Sequence, residues 1–98
     1  MSDDSDDSLA ERVERIHDEL RVTEERPVGR EASRWIGEAQ AVAGDAADVA
    51  ATGGSESVVR ERVGHVADLL SNVETTGDAD ADERVERARE LAERVGEP

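Results

Sequence analysis

Two residues of this chain have the types and spacing for acid–base chemistry on a phosphate ester. Arg60 is a cation of the kind that steadies a phosphate, and His65, five positions on, is an imidazole that exchanges protons near neutral pH. Three carboxylate pairs stand at three-residue spacing, Glu11 with Glu14, Asp45 with Asp48, and Glu83 with Glu86. Such spacing puts both acids on one helical face, and on facing helices hard oxygen donors of this kind bind Mg²⁺. His17 follows the apolar Ile16 and has no second His near enough in sequence for a di-histidine site. The chain has no Cys, which removes thiolate metal ligands and disulfides together. It also lacks a glycine-rich phosphate loop and a serine on a strand–turn–helix elbow. No metal centre and no cofactor are expected.

The Arg60 and His65 spacing resembles the short signature of HEPN-type ribonucleases. The resemblance implies metal-independent RNA cleavage, with Arg60 steadying the scissile phosphate and His65 in general acid–base catalysis. It covers six residues, and on a regular helix two positions five apart point about 140° apart. Nothing basic surrounds the pair in sequence, and Glu56 lies one turn before Arg60. The carboxylate pairs are similar in kind to those of all-α, Mg-dependent nucleotide pyrophosphohydrolases. The denser double-Glu pattern of that family is missing, since Glu24 and Glu25 run into Pro27. With 26 acids among 98 residues, three-residue spacings also arise throughout the chain as plain solvated surface.

The elements that must carry these residues are helical. Leu9, Val13, Ile16 and Leu20 step by four, three and four, and Ser8 with Glu11 forms a capping box, predicting a helix from Ser8 to about Glu25. Arg26 precedes Pro27 and is pushed out of the α region, so the chain turns there. A second helix spans about Arg30 to Ala51, with Ala32, Trp35, Ile36, Ala39, Val42 and Ala43 along one face, and ends at Thr52, Gly53 and Gly54. A third runs from Ser55 or Glu56 to Glu74 with Gly77 as its cap, and a fourth from about Asp80 to Val95, opened by Asp80 and Glu83. Pairs such as Glu11 and Arg15, Glu56 and Arg60, Glu83 and Arg87, and Glu90 and Arg94 brace the exposed faces. The fold class is all-α: an antiparallel four-helix bundle of one domain over residues 8–98, preceded by a short disordered acidic tail over residues 1–7. Its core is expected to include Leu20, Ile36 and Leu70, with Trp35, the sole aromatic ring, at the centre.

That core is thin. Of 35 apolar residues 14 are Ala, and neither Phe nor Tyr is present. Small chains with thin cores need a staple or a partner subunit, so self-association as a dimer is expected. Its candidate surface is a second stripe on helix two, opposite the apolar one: Ser33, Gly37, Ala41, Gly44 and Ala51. Two glycines inside one helix cost about 2 kcal/mol against alanine, which a close backbone contact would offset.

The charge balance concerns the solvent. Twelve basic residues, all Arg, stand against 26 acids for a net charge of −14. Such a body repels itself in dilute buffer, while at about 1 M salt the screening length falls to about 3 Å. A cytoplasm rich in K⁺ counterions is the expected setting. So acidic a chain offers no footprint for a phosphate backbone, and no run of 18 apolar residues or basic-then-apolar leader appears, so neither nucleic acid nor membrane is an expected partner.

As a whole the chain resembles the short, uncharacterised acidic helical proteins of haloarchaea, most strongly around Trp35 to Val42 and Thr75 to Asp82. The resemblance implies a salt-loving lineage and no mechanism. The leading functional expectation is therefore a non-enzymatic helical interaction or accessory protein, with the HEPN-like ribonuclease and the pyrophosphohydrolase as alternatives. If the surface is built for salt, helical circular dichroism should fall as KCl is lowered from molar to about 0.1 M, where the screening length reaches about 10 Å; full cooperative structure in dilute buffer would contradict this.

Overall fold

Ser8 sets the register of the first helix. Its hydroxyl accepts the Glu11 N–H at 3.1 Å while the Glu11 carboxylate accepts the Ser8 N–H at 3.0 Å, which satisfies two donors that helix α1 (Leu9–Val22) would otherwise leave open. In this computed structural model residues 8–96 are described; the acidic segment 1–7, expected to be disordered, and residues 97–98 lie outside them. After α1 the chain tightens into a 3₁₀ turn (Thr23–Glu25), where the Thr23 hydroxyl donates to the Leu20 carbonyl at 2.6 Å. Helices α2 (Arg30–Ala51), α3 (Glu56–Leu70) and α4 (Ala79–Gly96) follow.

The four helices close into an antiparallel ring. Helix α1 packs on α2 and α4, and α3 packs on the same two, so α1 and α3 occupy opposite corners. The corners differ in side-chain size. Helix α1 buries Val13, Ile16 and Leu20, and α3 buries Val59, Val63, Val66, Leu69 and Leu70. Helix α2 meets them with Ala32, Ile36, Ala39, Ala43 and Ala46, and α4 with Ala81, Val85, Ala88, Ala92 and Val95. Each interface therefore sets a large-residue face against a small-residue face, and the abundance of alanine becomes a packing device. Two helix backbones come close at the end of α4: a Cβ added to Gly96 would stand 3.1 Å from the Gly64 Cα of α3.

Four sequence expectations need correction. Helix α3 ends at Leu70 and not at Glu74, because the Ser71 hydroxyl and the Asn72 amide both donate to the Asp68 carbonyl, at 2.6 and 3.1 Å, and take the acceptor that would have continued the helix. Helix α4 starts at Ala79, and Asp78, not Asp80, caps it by accepting the Ala81 N–H at 2.9 Å. Gly77 does not cap α3; with φ +86° it turns the loop between the two helices. Trp35 is the fourth. It is only half-buried and packs on the margin of the core, beside Ala32 and the segment Asn72–Thr75, with the Arg34 guanidinium 5.1 Å from its ring centroid. The buried line of α2 runs through Ala32, Ile36, Ala39, Ala43 and Ala46, and Trp35 lies to one side of it. Leu20, Ile36 and Leu70 lie in the core, at 0, 4 and 1 % exposure.

The size rule has a direct consequence on helix α2. Ala43→Leu forces a large side chain onto the small face and should destabilise the fold by about 1–3 kcal/mol. Gly37→Ala, where a Cβ would meet nothing of the chain itself within 4 Å, should instead stabilise the isolated chain by about 0.5–1 kcal/mol through lower backbone entropy of the unfolded state. Thermal unfolding in molar KCl at submicromolar concentration, where the chain is on its own, checks both, and shifts of the same sign would contradict the assignment of the two faces.

Candidate interaction surfaces

The residues with catalytic potential do not converge. Arg60, half-buried on α3, gives two donors to the Glu56 carboxylate at 2.8 and 3.1 Å and a third to the Val95 carbonyl at 2.6 Å. It thus ties the end of α4 to α3 and neutralises carbonyl dipoles there. His65 is exposed elsewhere on the same helix, as a five-residue step dictates. The carboxylate pairs are likewise separate: Asp45 of α2 pairs with Arg62, Glu86 of α4 pairs with Arg89, and Glu11 and Glu14 lie on α1 beside Arg15 and Asp18. Among the described residues no group of three or more His, Asp or Glu side chains is placed to hold a metal ion. Nor, among those residues, is any helix long and apolar enough to cross a membrane. His17 lies half-buried at the α1–α2 contact.

The small-residue stripe of α2 divides in two. Ser33, Gly37, Ala41 and Ala51 are exposed, whereas Gly44 faces the chain's own α1, where a Cβ would stand 3.4 Å from His17 Nε2. The stripe is not one continuous external surface: Gly44 serves a helix contact inside the bundle. What remains outside is still unusual for this molecule. Every exposed position of α1 is charged, namely Glu11, Glu14, Arg15, Asp18 and Arg21, while the middle of the outer face of α2 offers Gly37 and Ala41. The surface pairs are also less regular than helical spacing suggests. Glu56 and Arg60 do pair, but Arg87 reaches across to Glu19 of α1 at 3.4 Å, alongside Arg84 at 3.1 Å.

The most ordered polar cluster lies where the 23–29 and 71–78 connections meet, at one end of the bundle. Thr76 is buried, and its N–H donates to Asp82 Oδ1 at 2.7 Å. Its hydroxyl stands 2.8 Å from the same oxygen and 2.9 Å from the Asp78 carbonyl, with one proton to give to either. Its carbonyl accepts the Gly29 N–H from the other connection at 2.9 Å. Arg26 completes the clasp, donating to Asp78 from Nε at 3.1 Å. These bonds hold the Asp78 carboxyl below its ordinary range, first through Arg26 and then through the Ala81 N–H. They lower Asp82 chiefly through the Thr76 N–H and hydroxyl, and the same contact with Asp78 raises Arg26. The clasp was missed in the sequence, where Asp78 and Thr76 carry no periodic signal; the Thr-Gly-Asp turn before a helix was the available cue. All its groups bond one another, which marks it as a structural fastening.

A family model described as a domain of unknown function (DUF8152) matches residues 12–98. No curated protein and no solved structure matches the chain.

The clasp gives the fold a pH dependence. A carboxylate lowered in the folded state contributes stability that is fully present above its unfolded value of about 4 and is lost as pH falls through the folded one. In molar KCl the melting temperature should therefore drop as pH falls from about 5 toward 2, and drop less in Asp82→Asn, which is already weakened at neutral pH. Parallel pH profiles for the two proteins would count against the clasp.

Proposed function

Because the chain belongs to the DUF8152 family, whose description leaves activity open, we propose from geometry that it is a non-enzymatic interaction protein. In this reading it pairs with its own copy through the outer face of α2, in a cytoplasm of high K⁺. The observation that carries the proposal is the uncharged centre of that face, Gly37 and Ala41, on a molecule whose other outer faces are laced with Glu, Asp and Arg. Small side chains let a second helix approach closely, and a thin alanine-rich core gains from the added burial. The charges flanking the centre suit a two-fold axis. Arg30, Arg34 and Glu38 precede Ala41, with Arg34 and Glu38 paired at 3.7 Å, while Asp45 and Asp48 follow it. Two antiparallel α2 helices crossing at Ala41 set Arg34 of each copy opposite Asp48 of the other, and their macrodipoles oppose. Net repulsion between two bodies of charge −14 makes the pairing depend on salt.

Light scattering in molar KCl tests this. The wild-type chain should have twice its monomer mass at micromolar to millimolar concentration and lose it as salt is lowered within the folded range. Ala41→Arg, at an exposed position, should return the monomer mass with helicity intact. A wild-type monomer throughout that range, or an Ala41→Arg protein that stays dimeric, would overturn the proposal.

A further inference from the structure

An apolar cleft opens between α1 and α4 near the end of the bundle opposite the clasp. Its floor is Leu91, half-buried, and Val95, 3 % exposed; its rim is Arg12 and Arg15 from α1 and Arg94 from α4. The lining is mainly aliphatic, whereas the depression beside Trp35, bounded by Glu31, Asn72, Glu74 and Thr75, is mainly polar. Helical geometry assembles the rim: Arg12 and Arg15 share one side of α1 at a three-residue step, and Leu91, Arg94 and Val95 share the facing side of α4. Three cations thus meet at one apolar spot on a chain of net charge −14. Like charges gathered in this way repel, and each of the three is already engaged within the chain, so an incoming anion exchanges with contacts that exist.

We infer that this cleft is a docking site for an acidic segment of a partner protein, anchored by one apolar side chain. Charge selects the segment. Here three guanidinium groups, each able to take a carboxylate bidentately, surround a place to dock on an otherwise strongly acidic chain. Size selects the anchor. The cleft has a volume of about 180 Å³, below the 300–1,000 Å³ of sites for drug-sized ligands and close to the cavity of about 150 Å³ that admits one benzene. One phenyl or isobutyl group fills it, with carboxylates on neighbouring residues reaching the rim. Single side chains in desolvated pockets ringed by polar groups are the usual energetic centre of such interfaces. Among the described residues the site is lined by α1 and α4, so it stands independently of any pairing through α2.

The probe is a blocked synthetic peptide, Asp-Asp-Phe-Asp-Asp, titrated into the full chain at the lowest KCl concentration that keeps it folded, because molar salt would screen the charge contrast being tested, while the methyl resonances of Leu91 and Val95 are followed by NMR. Those methyls should shift with saturation at submillimolar to millimolar peptide. Asp-Asp-Ala-Asp-Asp and Arg-Arg-Phe-Arg-Arg should each bind at least about tenfold more weakly. Arg94→Glu, a change at an exposed position, should weaken the Phe peptide about tenfold, roughly the worth of one charged hydrogen bond. Equal affinity for the Arg peptide, unshifted methyls, or saturation by decanoate where the acidic peptide gives none would each overturn the assignment, the last by making the site one for an acyl chain.

Discussion

The whole structure depends on alanine occupying the facing surfaces of α2 and α4. With Ala39, Ala43 and Ala46 on one helix and Ala88 and Ala92 on the other all fully buried, these helices lie close against the Val, Leu and Ile side chains of α1 and α3. Each alanine buries little area, so its contribution is mainly proximity: it lets larger side chains on the neighbours touch one another and fill the centre at ordinary packing density. A chain with 14 Ala and no Phe or Tyr thereby makes a continuous core without large rings. Volume is unforgiving in such a core, since its buried side chains are Ala, Val, Ile and Leu, with no buried Met to adapt its shape.

Close approach along the barrel makes the ends decisive. At one end the clasp of Arg26, Thr76, Asp78 and Asp82 joins the first and third connections and caps α4 at once. At the other, Arg60 binds the Val95 carbonyl and Gly96 lies against Gly64, fastening the last turn of α4 to α3. Between these fastenings Glu19 of α1 takes Arg84 and Arg87 of α4. Exposed ion pairs such as Arg21 with Asp18 contribute little in any solvent and less in concentrated salt. The hydrogen-bonded ends therefore matter more to the register of the helices than the many surface charges do.

The fold was legible from the sequence where apolar periodicity and backbone chemistry agreed. Helix α2 begins and ends at the residues its pattern predicts, and the capping box at Ser8 and Glu11 forms as its spacing requires. It was illegible where a side chain competes for a backbone acceptor. Val73 continues the apolar step of α3, yet Ser71 and Asn72 have already turned the chain. The placement of Trp35 failed for a different reason: hydrophobicity marks a residue for burial without saying where the neighbouring helices pack, and they pack on the line of Ala32, Ile36, Ala39, Ala43 and Ala46, leaving Trp35 at its margin. Gly44 shows the limit for the candidate surface. Sequence spacing grouped it with Gly37 and Ala41, but whether a helix face is internal or external depends on the neighbour, here His17 of α1.

The same limit explains why the cleft between α1 and α4 had no sequence signature. Arg12 and Arg15 look like ordinary partners for nearby acids, and Arg94 lies about eighty residues away in a helix with the same Glu-and-Arg texture. Only the antiparallel ring brings the start of α1 beside the end of α4, and only the half-burial of Leu91 leaves an apolar floor between them. The chain's acidity is set by its count of Asp and Glu, but recognition depends on where the few cations fall. In a protein of net charge −14, three arginines around one aliphatic cleft form a local contrast on the α1–α4 side, as the small uncharged residues Gly37 and Ala41 do on the outer face of α2. A surface that is uniformly charged repels every partner of its own sign equally; breaks in that uniformity are what allow it to select.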